Sequence, residues 1–199
     1  LDEVALKFSS IALDIFIDLE KILETSSNNI SFKALALSIF LKVSKSLSDS
    51  RLERMLKTIT EQYSLFKEDF KKEIVMICKN ISQTNPTKYR TYFNFFTNLI
   101  KLDAAESTKL EIINALQWFI TNVLEYRKVG LLALGEYIED CKFETLKTKI
   151  LLILGEESAG LSIINQIIRY IYNRIILEGR VIRAASVPAS GVIAKKLND

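Results

Sequence analysis

Apolar residues recur at helical spacing along almost the whole chain. Ile11, Ile15, Leu19 and Ile22 make a first stripe, which the polar run Thr25 to Asn29 closes. Phe32, Leu35, Ile39 and Val43 make a second. Ser50 and Glu53 have the spacing of a capping box ahead of Met55, Leu56 and Ile59, which predicts a third helix. A fourth runs from about Lys67 through Ile74, Ile77, Cys78 and Ile81. Asn85-Pro86 reads as an N-cap with proline in the first helical position, and Tyr89, Phe93, Phe96 and Ile100 follow on one face. Thr108 and Glu111 repeat the capping-box spacing before Ile112, Leu116 and Phe119.

The second half continues the pattern. Leu131, Leu134 and Ile138 share a face, as do Phe143, Leu146, Ile150 and Ile153; the polar residues Glu139-Asp140-Cys141-Lys142 form the turn between them. Gly155 suits the end of that second helix, where a left-handed residue is favoured. Ile164, Ile167, Ile168, Ile171 and Ile175 predict a ninth helix, and a tenth runs from about Gly179 towards Lys195. Pro188 predicts a kink or a break in it, because proline removes a backbone donor and costs around 3 kcal/mol inside a helix. No stretch alternates with period two for long enough to argue a strand.

About ten helices make about five hairpins. The last four hairpins begin near Ser50, Pro86, Lys128 and Leu161, intervals of roughly 30 to 45 residues, the period of HEAT and armadillo repeats. One hairpin cannot bury its apolar face, whereas stacked neighbours can. The expected fold is therefore all-α: a right-handed α-solenoid of about five HEAT/armadillo-like hairpins, with residues 1–199 forming one segment. The run Val181 to Val187 has the valine, arginine and small-residue pattern that opens the second helix of many HEAT repeats. Its Arg183 can reach carbonyls or acids of a neighbouring repeat.

Composition narrows the function. Among 199 residues there are six glycines and two prolines, too few for a turn-rich sheet architecture. The net charge of +3 is too small for a nucleic-acid footprint. The two cysteines have neither disulfide-framework nor zinc spacing and fit a reducing compartment. No apolar run reaches the length of a membrane span. Leu1 rather than Met opens the chain, so a cut from a larger protein is expected.

The sequence has no histidine, which removes the commonest general base and metal ligand. Cys141 has two carboxylates beside it and no base, so a thiol enzyme is the weaker reading. Cys78 lies on an apolar helical face and reads as core. The pairs Glu68-Asp69, Glu139-Asp140 and Glu156-Glu157 are adjacent in sequence and so diverge on a helix, which favours solvated helix ends over acid–base work. Tyr89, Tyr92, Phe93, Phe95 and Phe96 suggest base stacking, but Tyr89, Phe93 and Phe96 share the apolar face and read as core, like Trp118. Lys71-Lys72 and Lys195-Lys196 read as solvated surface. No catalytic residue, cofactor or metal is assigned.

Two stretches carry a resemblance. YIEDCKFETLKTKILLILGEE, followed by IIRYIYNRIILEGRVIRAASV, closely resembles the trunk of the coatomer gamma subunits of the COPI vesicle coat. The likeness is specific over Leu131 to Val187, looser over Ile30 to Trp118 and weak near Leu1 to Glu24. Pro188 and Ser190-Gly191 depart from the family, which has an ordinary helix there.

The resemblance implies a non-catalytic scaffold in the cytoplasm, peripheral on Golgi membranes and COPI-coated vesicles. It implies the other coatomer subunits as partners, notably the small zeta subunit. It implies an Arf-family GTPase engaged mainly through regions outside this segment, no nucleic acid, and a role in retrograde Golgi-to-ER and intra-Golgi transport. The residues that mark it are Glu139, Asp140, Cys141, Arg169, Tyr172, Asn173, Arg174 and Arg183. Helix pairing and repeat stacking account for most of them, with Arg169 and Asn173 on one polar face as a subunit contact. A clathrin-adaptor large subunit shares the architecture. A nuclear-transport receptor should add acidic stripes, and a helical-repeat RNA binder a repeated basic or aromatic face; neither pattern is evident.

Overall fold

The structure is a computed structural model that describes residues 48–198; the expected helices around Ile11–Ile22 and Phe32–Val43 lie outside the described residues. The described chain is all-α, with no strand among the described residues. Eight α-helices follow one another: α1 (Asp49–Gln62), α2 (Glu68–Thr84), α3 (Tyr89–Leu99), α4 (Glu106–Asn122), α5 (Leu124–Asp140), α6 (Glu144–Glu157), α7 (Ile164–Leu177) and α8 (Arg180–Asn198). Short 3-10 turns at Tyr63–Leu65 and Pro86–Lys88 follow α1 and precede α3. The chain divides into two compact units, Leu1–Ala104 and Ala105–Asp199.

In the first unit α3 packs against both α1 and α2. Each of the three helices turns its apolar stripe to a shared core. Leu52 and Ile59 of α1, Ile74 and Cys78 of α2, and Tyr92, Phe96 and Leu99 of α3 are fully buried. Each such side chain contributes roughly 1.5 to 3 kcal/mol by leaving water. The capping box expected at Ser50 is displaced. Ser48 is the N-cap, in extended conformation, and its carbonyl accepts the Leu52 N–H at 3.1 Å; Ser50 is already inside α1. Pro86 does open a helical turn, as its spacing predicts. Asn85 is no side-chain cap, however, because its amide donates backwards to the Ile81 carbonyl at 3.2 Å and closes α2 instead.

Lys71 corrects the solvated reading of the Lys71-Lys72 pair. It is 6% exposed, its ammonium 2.6 Å from a Glu68 carboxylate oxygen and 5.3 Å from the centre of the Tyr63 ring. The stem lies along apolar surface while the head keeps an acid and an aromatic face as partners. Lys195 is exposed as expected, and the side chain of Lys196 is outside the described residues. The aromatic run is more deeply sunk than its period suggests. Tyr92 and Phe95 are buried along with Phe93 and Phe96, which leaves no row of rings for base stacking.

In the second unit neighbouring helices pair, and alternate helices stack: α4 on α6, α6 on α8, α5 on α7. This is the arrangement of repeated hairpins, here α5/α6 followed by α7/α8. Ile112 and Phe119 (α4), Leu131 and Leu134 (α5), Ile150 and Leu154 (α6), Ile167 (α7) and Ile182 (α8) are fully buried. The expected cap at Thr108 fails: Ala105 is the N-cap, its carbonyl accepts the Lys109 N–H at 3.0 Å, and Thr108 is completely buried in the first turn of α4.

Gly155 is not a terminator. It lies inside α6, and a Cβ there would meet the Ala189 Cα and carbonyl oxygen of α8 at 2.9 Å. Close approach of two helices, not left-handed backbone, requires glycine; among the described residues the one with positive φ is Gly160, at 76°. Pro188 does not break α8, which runs from Arg180 to Asn198 with the proline inside it. The lost backbone bond is flanked by two hydroxyl bonds on the same helix, Ser186 to the Ile182 carbonyl at 2.8 Å and Ser190 to the Ser186 carbonyl at 3.0 Å.

Candidate interaction surface

The helix α5 ends two residues later than the polar turn predicts. Glu139 and Asp140 form its exposed last turn, and the link to α6 is Cys141-Lys142-Phe143. Cys141 is 4% exposed and its thiol donates to the Phe143 carbonyl at 3.6 Å. It closes the turn from inside. Beside it, burial first and then the neighbouring Cys141 push the Tyr137 hydroxyl above its ordinary value. Cys78, fully enclosed in the other unit, is likewise pushed up by burial. Neither thiol has the electropositive, accessible setting that makes a nucleophile.

The signature residues separate into two groups. Arg174 faces inward. It is 6% exposed, one guanidinium nitrogen donates to Glu178 at 2.9 Å, and another lies 4.0 Å from Glu139. Lys147 of α6 donates to the same Glu178 oxygen at 2.7 Å. Two cations from successive helices therefore converge on the carboxylate at the α7/α8 turn. The hydrogen bond from Lys147, then the Lys147 charge and Arg174, hold the Glu178 carboxyl below the usual range against the opposing effect of burial. This junction ties α5, α6 and α7 to one point.

Arg169, Tyr172 and Arg183 face outward, and Asn173 is half-buried. Arg169 and Asn173 stand one turn apart on α7. Arg183 has no ion pair among the described residues; the reach across helices expected of it belongs to Arg174. Around Tyr172 the outward face of α7 is apolar, with Ile168 41% and Ile176 58% exposed, whereas Ile167 and Ile171 behind them are buried. Val181 and Val187 of α8 are exposed as well.

Sequence reasoning missed three parts of this arrangement. Arg174 and Glu178 have the four-residue spacing of a helical ion pair, a signal that was available. Lys147 and the Tyr170 ring, which packs where a Gly135 side chain would stand, leave no mark in the sequence. The carboxylates also behave differently from one another. Glu68 pairs with Lys71. Glu157 is a tie rather than a solvated end: its carboxylate is 3.0 Å from Arg127, whose Nε donates to the Glu157 carbonyl at the same distance. No cluster of metal-ligating side chains occurs among the described residues, and no described helix is long and apolar enough to cross a membrane.

A repeated helical hairpin whose polar side chains tie helices together is the architecture of a helical-repeat protein. Over residues 6–191 the chain matches the family described as the adaptin N-terminal region, and it belongs to that family. Its relatives narrow the match. It is 33% identical over 189 residues to coatomer subunit gamma-2 of Danio rerio, covering 95% of this chain and 21% of that protein. It is 34% identical over 187 residues to coatomer subunit gamma of Arabidopsis thaliana, covering 94% and 20%. It is 33% identical over 171 residues to coatomer subunit gamma-1 of Oryza sativa subsp. japonica, covering 86% and 19%. The chain thus spans about one fifth of the length of these relatives. No solved structure matches it.

Proposed function

We propose that this chain is a non-catalytic segment of a gamma-type coatomer subunit that scaffolds the COPI vesicle coat. The observation that carries the reading is the likeness to coatomer gamma subunits along nearly the whole chain, 95% of it in one case. The helical packing supports it: polar groups are spent on joining helices, and the two thiols are buried. On this reading residues 1–199 act as one segment of a longer helical-repeat arm. Its partners are the other coatomer subunits, notably the small zeta subunit. An Arf-family GTPase engages other parts of the arm, and the protein sits in the cytoplasm, peripheral on Golgi membranes and vesicles. The outward residues Arg169, Tyr172 and Arg183, with the half-buried Asn173, are the proposed subunit contact, while Glu139, Asp140, Cys141 and Arg174 hold the hairpins that present them.

The family description also fits a second reading, a clathrin-adaptor large subunit. Affinity purification of the tagged full-length parent from its native cells separates the two. Recovery of the remaining coatomer subunits in near-equal amounts is expected. Recovery of clathrin-adaptor partners, nuclear cargo or RNA in their place would overturn the proposal.

A further inference from the structure

A cavity of about 520 Å³ opens between α1 and α3, wholly within the first unit. Leu56 and Phe95, both nearly completely buried, form its floor. Glu53 and Glu61 stand on the α1 rim, and Asn94 and Asn98 on the α3 rim. We infer that this groove binds an extended, basic peptide segment of a partner protein.

The spacing of the rim residues carries the inference. Asn94 and Asn98 are one turn apart, a rise of about 6 Å along the helix. Alternate residues of an extended chain repeat every 6.6 to 6.8 Å or so. A side-chain amide offers both a donor and an acceptor, the pair that each backbone unit of such a chain requires. Two amides in register can therefore hold two alternate residues of a peptide by its backbone. The carboxylates match the same ruler. Glu53 and Glu61 are two turns apart, about 12 Å, close to the roughly 13 Å between residues four apart in an extended strand.

Charge agrees with this assignment. The chain carries a net +3, yet the groove has two carboxylates and one lysine. That lysine, Lys57, is 3.9 Å from Glu61, with side chains 78% and 64% exposed. Such a pair contributes little and yields readily to a cation from a partner. Glu53 is held in place by the Thr91 hydroxyl, which donates across the groove from α3 at 3.4 Å. The apolar floor accepts the small aliphatic side chains that alternate with the cations.

The test uses the 199-residue chain and the fluorescent peptide Gly-Lys-Val-Ser-Val-Lys-Gly, read by anisotropy. Saturable binding is expected, weakening as salt rises. The double substitution Asn94→Ala, Asn98→Ala should weaken it about tenfold, since two neutral hydrogen bonds are lost. Glu61→Gln should weaken it several-fold and flatten the salt dependence. Both sites are on the surface, and an unchanged thermal melt would show that the variants are folded. A peptide methylated on alternate backbone nitrogens tests the amide contacts on the unaltered protein, and should lose binding about tenfold. Absence of saturable binding at millimolar peptide would overturn the inference. So would equal binding of a peptide with glutamates for lysines, or affinity indifferent to both the asparagine substitutions and backbone methylation.

Discussion

The hairpins α5/α6 and α7/α8 are built on one plan but carry their small and large residues to different ends. In α5/α6, Gly135 and Gly155 lie on the face that the next hairpin covers; Tyr170 fills the space beside the first, and the Ala189 backbone sits against the second. In α7/α8 the exposed positions include Ile168 and Tyr172 on one helix and Gly191 on the other. Around Gly191 nothing lies within 4 Å of where a Cβ would stand. The same residue type thus has opposite meanings. Gly155 is required by a neighbour's backbone, whereas Gly191 has no such neighbour among the described residues.

The largest expected effect tests which side of α7 supports the fold. Ile171→Ala removes a buried side chain and should cost about 2 to 5 kcal/mol in urea unfolding. Ile168→Ala, three residues away on the outward side, should change stability by no more than about 0.5 kcal/mol. Equal losses at the two sites would show that the outward face is also packed, and the contrast between the hairpins would collapse.

The two glycines sharpen the comparison further, because their expected signs differ. Gly155→Ala forces a Cβ into the α8 backbone, which cannot rotate away as a side chain can. A loss of about 1 to 3 kcal/mol is expected. Gly191→Ala adds a methyl in open space and raises helix propensity, so a gain of about 0.5 to 1 kcal/mol should appear as a higher melting temperature. A destabilising Gly191→Ala would mean that another helix approaches there.

These residues also show what a sequence can and cannot reveal. The helical period marks every described helix, because burial of one face leaves its imprint at each turn. The connection at Cys141 was legible for the same reason. Caps were not: Ser50 and Thr108 have the right spacing to a glutamate, but the helices begin earlier, at Asp49 and Glu106, with their carbonyl acceptors already engaged. Gly155 looks like a terminator because sequence reports the absence of a side chain and not which atom occupies its place. Lys71 reads as a surface cation because sequence does not show that the fold encloses it against Glu68 and the Tyr63 ring, and Lys147 meets Glu178 only across thirty-one residues of chain. The charged junction at Glu178 is therefore the part of the site least visible beforehand.

That junction separates charge from packing, and its pH dependence tests it. Glu178 accepts from Lys147 at 2.7 Å and from Arg174 at 2.9 Å, so its carboxyl titrates below the ordinary value of 4.5 in the folded protein. The folded state then binds the proton less readily than the unfolded chain does. Its stabilising contribution is fully present above the unfolded value and disappears as pH falls through the lower, folded one. Glu178→Gln keeps the shape and removes the charge, so at pH 7 it should cost about 1 to 2 kcal/mol, moderated by partial solvent screening. The gap between parent and variant should shrink below about pH 4 and close in stronger acid. Urea midpoints of both proteins from pH 7 to pH 3 measure it. A gap that stays constant with pH would mean that packing, not charge, holds the α7/α8 turn against α6, and the two hairpins would then differ in shape alone.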